Sequence, residues 1–468
     1  MIFSSFEFVV FFGIVLLGIW SVSTETARRN LLLVASYIFY GWWDWRFCLL
    51  LAGTTIIDYF AAIQVEEATD PRKKRRWLLV SLCSNLGVLA FFKYTNFFLA
   101  SLSGLFRAAN LDVPTHLGII LPIGLSFFTF QSMSYSIDVY RGNLPATRRL
   151  RDFALFVAFF PQLVAGPITR ASVFLPQFKT IHPLRLENLR LGLQIFLRGF
   201  IKKLIFADRL AIFVDPVFSQ PALYSSATVW SAVVAYAFQI YYDFSGYTDM
   251  ARGVAKSLGF QLPENFRHPY ISLNVTEFWR RWHITLSTWL RDYLYIPLGG
   301  NRGSQVRTYF NLMTTMLLGG LWHGASWTFV AWGGLHGAAL VVHRFFIPAR
   351  PNLAAKRGVV GTFLSWLATF IFVLVCWVFF RASSFSIALT VLEKMAFIDS
   401  RGIDWFYVQA MTILGIATML HIGTIMRNEK DYELELTTPV AWAIFCALLV
   451  VMLYCAPIVG NPFIYFQF

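Results

Sequence analysis

About a dozen apolar runs, each near the roughly 20 residues a helix needs to cross hydrocarbon, constrain this chain more than any motif. They fall near residues 6–22, 31–50, 51–64, 78–92, 117–138, 190–214, 227–247, 308–322, 326–346, 359–380, 408–426 and 437–458. In lipid every backbone donor and acceptor must be satisfied within the chain, so the runs predict an all-α, polytopic membrane protein of about 11–12 helical segments. Short runs such as 51–64 need not cross completely. Composition agrees: 57% hydrophobic and 14% charged residues, with a mean hydropathy of +0.59, is too apolar for a soluble globule of 468 residues. The first run carries Glu7 and no basic head, which reads as a first helix and not as a cleaved signal peptide. No stretch between runs is long enough for another domain, so one membrane domain is expected over 1–468.

The net charge of +14 is concentrated between the runs, at Arg28/Arg29, PRKKRR (71–76), RRLR (148–151), Lys356/Arg357 and Arg427/Lys430. Basic loops stay cytoplasmic, and placing all five there leaves pairs of spans between them with both termini outside. PRKKRR beside membrane helices reads as an anchor to anionic membrane lipid, not as a nucleic-acid site. The five cysteines, Cys48, Cys83, Cys376, Cys446 and Cys455, lack CxxC spacing and read as small buried hydrophobes, with no metal site implied. HExxH, P-loop, GxSxG and GxGxxG patterns are all missing from the sequence.

The unusual stretch is LPENFRHPYISLNVTEFWRRWHITLSTWLRDYLYIPLGG (262–300), too polar to cross simply and dense in Trp and Tyr. On one helix, Val275, Phe278, Trp279, Trp282, Leu286, Trp289, Leu290 and Tyr293 share a face, opposite Glu277, Arg280, Arg281, Ser287 and Arg291. Such a helix is re-entrant or interfacial. His283 falls on the rim of the apolar face, as either a tethered structural histidine or a group aimed into a cavity. Arg280 and Arg281 read as snorkelling or phosphate-contacting charges.

The second unusual stretch is LLGGLWHGASW (317–327). Gly319, Gly320 and Gly324 clear side chains from around His323, permitting close approach of a ligand or a neighbouring helix, while Trp322 and Trp327 supply walls. An ionisable group in this setting favours function for His323. His336, in GGLHGAA, has the small neighbours without tryptophan and reads as a structural hydrogen-bonder.

FWRRWHITLSTWLRDYLYIPLGG followed by LLGGLWHGASWTFVAWGGLHG closely resembles the membrane-bound O-acyltransferase family, in particular its bacterial alginate O-acetyltransferase branch. The resemblance extends to FFPQLVAGPITR (159–170), FSGYTDMARG (244–253) and NPFIYFQF (461–468), and so covers nearly the whole chain. It implies an hourglass of helices with a central tunnel, a catalytic core over about 120–345, and a multi-pass protein of the bacterial inner membrane. It also implies that His323, in the WHG motif, is essential for acyl transfer and that His283, in RWH, is the second hallmark position. Trp279, Trp282, Ser287, Trp322 and Asn274 are then the candidates for lining the tunnel. Relatives that carry D-alanine to teichoic acids share both histidines, so the motifs leave the acyl group open.

Acyl transfer from a thioester to a hydroxyl needs a base for the attacking oxygen, donors for the oxyanion, and a leaving thiolate. Neutral imidazole, with an unperturbed pKa of about 6.5, can be that base. His323 is expected to be the base or to orient the attacking group, with His283 on the acyl carbonyl or the acceptor. The donor expected is acetyl-CoA, with no permanently bound cofactor; Arg170, Lys179, Arg267 and Arg281 are candidates for its phosphates, against a role in topology and lipid contact. The resemblance further implies an extracytoplasmic SGNH-hydrolase-like partner and an exported polysaccharide as final acceptor. Two rivals remain: a transporter, for which Asp243 and Asp249 would be the intramembrane carboxylates, and a non-enzymatic scaffold of a secretion complex. In YYDFSGYTD a structural helix-end role for both aspartates is favoured over ion coupling.

Overall fold

The computed structural model describes residues 1–108, 114, 116–180, 185–346 and 358–426, with isolated positions between 440 and 450. The chain is helical throughout: α1 (Phe6–Ser21), α2 (Glu25–Gly41), α3 (Arg46–Glu67), α4 (Pro71–Leu89), α5 (Thr95–Ala108), α6 (Leu125–Arg141), α7 (Leu150–Ala158), α8 (Phe160–Leu163), α9 (Ala171–Phe174) and α10 (Leu186–Ile201). There follow α11 (Asp208–Ser219), α12 (Ser226–Ser257), α13 (Val275–Arg281), α14 (Ile284–Leu290), α15 (Gln305–His323), α16 (Trp327–Phe346), α17 (Val359–Arg381), α18 (Phe385–Met395) and α19 (Val408–Met426). Among the described residues there is no strand, only an isolated bridge between Tyr224 and Ile403. The all-α membrane architecture therefore holds, in more and shorter pieces than the apolar runs suggest.

Three departures stand out. The run at 31–50 is broken where Asp44 accepts from the Arg46 backbone at 3.0 Å, so α2 ends at Gly41 and α3 starts at Arg46. Helices α4 and α5 join through a π-turn at Ala90–Tyr94 into one stretch over Pro71–Ala108. Helix α12 runs 32 residues, straight through Asp243 and Asp249, so these are mid-helix residues and not helix-end groups. Among the described residues three helices are long and apolar enough to cross a bilayer, Arg46–Glu67, Pro71–Ala108 and Val359–Arg381, with shorter apolar helices at Phe6–Ser21 and Val408–Met419. The run at 437–458 and the basic pairs Lys356/Arg357 and Arg427/Lys430 lie outside the described residues, apart from scattered positions.

Packing divides the chain into two compact units, one of 1–197 with 248–263, the other of 198–247 with 264–447. In the first, a phenylalanine seam links α1, α2 and α8, with ring centroids 6.0 Å apart for Phe8–Phe39 and 5.6 Å for Phe39–Phe160. Asp58, buried in α3, accepts from Ser81 at 2.6 Å and from Asn85 at 2.9 Å, both on α4, and so carries its polarity inside a candidate span without an unmet acceptor. Basic groups gather at one end: Arg148 bridges Glu66 (2.6 Å) and Glu67 (2.5 Å) at the end of α3, and buried Arg29 meets Asp152 at 3.2 Å. The basic segments at 28–29 and 148–151 are thus tied by ion pairs to the start of α7 and the end of α3.

In the second unit the organising element is the antiparallel hairpin α15–α16. Glycines let its backbones touch: a side-chain carbon at Gly320 would lie 2.3 Å from the Phe329 carbonyl oxygen, and one at Gly333 would lie 2.4 Å from that of Met316. Of the alternatives open for the glycine cluster, close approach of a neighbouring helix is the one realised at Gly320. The cysteine expectation is corrected here. Cys376 is buried, but Cys48 is half-buried and Cys83 and Cys446 are exposed, because an apolar segment turned toward lipid buries nothing against protein; Cys455 lies outside the described residues.

Candidate active site

His323 is the last residue of α15, where Gly324 turns the backbone to an extended conformation and ends the helix. Its ring is 4% exposed and is walled by Trp322 at 5.0 Å, Trp332 at 4.9 Å and Phe380 at 5.3 Å between ring centroids. The second histidine comes from a different local device. Residues 275–293 do not form the single helix expected; α13 stops at Arg281, and α14 begins after His283, which adopts a left-handed conformation at φ 43°, ψ 54°. Non-glycine residues seldom sit there, and such positions cluster at functional sites.

The break is held from outside the segment. Asn265 lies 20 residues upstream, and its carbonyl accepts from Ile284 N at 2.9 Å. Its side-chain oxygen accepts from Thr285 N at 3.2 Å and from Thr285 Oγ1 at 2.6 Å. Asn265 thereby supplies the cap that α14 lacks locally. In consequence His283 is not on the rim of an apolar face but fully buried, 4.6 Å from the Phe244 ring and 6.4 Å from the His323 ring. Neither of its ring nitrogens has a hydrogen-bond partner among the described residues. A buried polar nitrogen without a hydrogen bond costs about 1–3 kcal/mol, which makes this ring an unfavourable choice for a purely structural position. The faces assigned from the sequence hold in part: Val275, Phe278, Trp282, Leu286, Trp289, Leu290 and Tyr293 are buried but Trp279 is half-buried, and of the opposite face Arg280 and Arg291 are exposed while Glu277, Arg281 and Ser287 are half-buried.

The other sequence candidates divide. Trp322 lies against both histidines, 6.0 Å from His283. Trp282 is fully buried and packs on Trp377 at 4.8 Å and Phe266 at 5.0 Å. Trp279 donates from Nε1 to His336 Nδ1 at 3.3 Å, which gives His336 the structural hydrogen bond expected of it, although its spatial neighbours do include tryptophans. Asn274 caps α13, accepting from Glu277 N at 2.8 Å, and Ser287 Oγ donates to the Trp282 carbonyl at 3.1 Å; both serve the backbone. Trp332, Trp377, Phe380, Phe244 and Asn265 were not singled out from the sequence, where nothing separates them from the general aromatic and polar background.

Of the phosphate candidates, Arg267 and Arg281 come together: Arg281 Nη1 donates to the Arg267 carbonyl at 3.2 Å. Each is also paired, Arg267 with Glu264 and Arg281 with Glu277, both at 2.9 Å. His268 lies beside them, and burial, Lys202 and Arg281 hold its imidazole below the ordinary value while Glu264 partly opposes them. Arg170 is half-buried in the first unit, before α9, and the side chain of Lys179 lies outside the described residues. The transporter-type carboxylates are engaged: Asp243 meets Lys203 at 2.5 Å and Asp249 meets Arg252 at 3.4 Å.

Comparison with known proteins bears directly on this site. The family model of the membrane-bound O-acyltransferases matches residues 144–389, a stretch containing both histidines. The chain is 46% identical over 402 residues to the probable alginate O-acetylase AlgI of Pseudomonas aeruginosa, covering 84% of this chain and 75% of that protein. It is 38% identical over 454 residues to the peptidoglycan O-acetyltransferase of Helicobacter pylori, with coverage of 91% and 82%. It is 28% identical over 247 residues to the teichoic acid D-alanyltransferase of Bacillus subtilis, with coverage of 50% and 61%. Matched over more than half its length by the family model and along most of its length by the first two of these relatives, the chain belongs to the membrane-bound O-acyltransferase family and is an O-acyltransferase.

Proposed function

We propose that the protein transfers an acetyl group from acetyl-CoA, a cytosolic thioester, through a tunnel in the membrane to an extracytoplasmic acceptor used to O-acetylate an exported, alginate-like polysaccharide. The observation that carries this reading is the pairing of His323 with His283, two buried imidazoles 6.4 Å apart at the junction of two motifs distant in sequence. Two imidazoles at that separation can act on one bound group, one taking a proton and the other donating a hydrogen bond.

In this reading the acceptor hydroxyl attacks the thioester carbonyl as His323 takes its proton, His283 hydrogen-bonds the carbonyl or the acceptor, and the thiolate leaves with a proton returned by His323. Trp279, Trp282 and Trp322 line the approach, while Ser287 and Asn274 hold its backbone. Arg170, Lys179, Arg267 and Arg281 are the basic groups that attract the CoA phosphates in this reading. The domain is single over 1–468, multi-pass in the bacterial inner membrane, with its catalytic core over about 120–345. An extracytoplasmic SGNH-hydrolase-like partner receives the acetyl group. A second acceptor, peptidoglycan, is favoured by the 38% identity to the Helicobacter pylori enzyme along most of the chain.

The test is sidedness. Proteoliposomes containing radiolabelled acetyl-CoA inside are given purified partner and alginate or peptidoglycan fragments outside. Label on an outer acceptor, abolished by omitting the protein, supports the reading; label that reaches only acceptors sealed inside with the donor contradicts transmembrane transfer.

A further inference from the structure

The indole nitrogens of the second unit fall into two groups. Trp230, Trp279 and Trp366 are each half-buried and each donates: to the Met395 carbonyl at 2.9 Å, to His336 Nδ1 at 3.3 Å and to the Tyr270 carbonyl at 2.8 Å. Trp332, on α16, is 1% exposed, and its Nε1, like that of fully buried Trp377, has no acceptor among the described residues. An indole N–H can only donate, and burying it unmet is unfavourable; half-buried neighbours find acceptors while this deeper ring does not.

The ring also lies inside the candidate site. The Trp332 ring stands between two histidines, 4.9 Å from His323 at an interplanar angle of 83° and 4.8 Å from His336 at 67°. It is also fixed relative to His323. The adjacent Gly333 lies against the Met316 carbonyl so closely that a side-chain carbon there would come within 2.4 Å of it, and Met316 belongs to the helix that ends in His323. Proton acceptor and N–H donor therefore ride on one rigid hairpin, the preorganisation that makes an oxyanion donor effective.

We propose that Trp332 Nε1–H is a catalytic hydrogen-bond donor to the oxyanion of the acyl-transfer intermediate, an inference that rests on His323 being the base. As the acceptor oxygen bonds to the acyl carbon and its proton passes to His323, the carbonyl π pair moves onto oxygen, and that oxyanion accepts the Trp332 N–H. Collapse re-forms the carbonyl and breaks the carbon–sulfur bond, and the thiolate takes the proton from His323. The substrate class this site takes is an acyl thioester carbonyl.

The experiment compares full-length native protein, Trp332→Phe, Trp230→Phe and His323→Ala in proteoliposomes, following transfer of acetyl from acetyl-CoA. Trp332→Phe keeps an aromatic ring and removes the N–H. The expected result is a fall in kcat of about 10²–10³-fold with KM within threefold. Trp230→Phe removes an indole N–H that already has an acceptor, the Met395 carbonyl, and belongs to no part of the site, and stays within threefold of native. Trp332→Phe within threefold of native beside an inactive His323→Ala overturns the inference and leaves the functional reading standing, whereas an active His323→Ala overturns both. If Trp332→Phe lowers the melting temperature, benzothienylalanine at 332, with sulfur in place of N–H, decides: the same loss of kcat supports the donor role and recovery of native kcat overturns it.

Discussion

Replacing Lys203 tests whether the buried charges of the second unit are bound by mutual neutralisation. Lys203 sits in the π-turn Lys202–Ala207 between α10 and α11, 4% exposed, with Nζ 2.9 Å from Asp208 Oδ1 and 2.5 Å from Asp243 Oδ1. Asp243 is 2% exposed, and the Asp208 side chain is 16% exposed. Removing one member of a buried, hydrogen-bonded ion pair costs about 3–5 kcal/mol, because the remaining charge stays desolvated without a partner. Lys203→Met retains most of the apolar stem, so the loss reports charge and not volume. Asp208, being partly exposed, can be hydrated; Asp243 cannot, and it carries most of the penalty. The double variant Lys203→Met/Asp243→Asn removes that stranded charge and should lie within about 2 kcal/mol of native. Melting of detergent-solubilised protein, followed by tryptophan fluorescence, should show a drop on the order of 5–10 °C for the single variant and recovery of more than half of it in the double. A single variant melting within 2 °C of native, about the smallest shift 1 kcal/mol would give, or a double variant less stable than the single one, refutes the reasoning.

Two further outcomes follow from packing and charge. Gly333→Ala places a carbon 2.4 Å from the Met316 carbonyl oxygen, which is backbone and cannot swing away. The variant should lose about 1–3 kcal/mol or more in a melting experiment and lose activity as the hairpin carrying His323 is pried apart. Because burial, Lys202 and Arg281 hold His268 below its ordinary value, its contribution to stability is fully present above about pH 6.5 and is lost as pH falls through the folded value. His268→Asn, which tolerates the left-handed backbone at φ 48°, should therefore flatten the acid side of a melting-temperature profile below about pH 6.5; an unchanged profile removes His268 from the account.

What the sequence revealed and what it hid separate along local and non-local lines. The runs at 308–322 and 326–346 became α15 and α16 almost residue for residue, because a start signal such as Ser304, which accepts from Arg307 N at 3.3 Å, and the Gly324 stop are local. The break at His283 was invisible because the apolar period of 275–293 runs through it unchanged. What opens the helix there is Asn265, reaching α14 from 20 residues away. The polar middle of α12 misled for the same reason: Asp243 reads as a helix-ending group until Lys203 is seen to neutralise it. Cysteine burial failed on a different point, since hydropathy marks a segment as apolar without saying which side faces lipid and which faces protein. Trp332 and Trp377 could not be told from the other tryptophans, because an unmet indole N–H is a property of packing.

The central claim is that His323 carries out acyl transfer. The most direct measurement is transfer of radiolabelled acetyl from acetyl-CoA to the outer acceptor by native protein and by His323→Ala, reconstituted at equal amounts of protein with matched melting temperatures. The account predicts a loss of at least about 10²-fold in the variant, the low end of what a positioned general base contributes. Transfer by His323→Ala within threefold of native would return this histidine to a structural role and contradict the account.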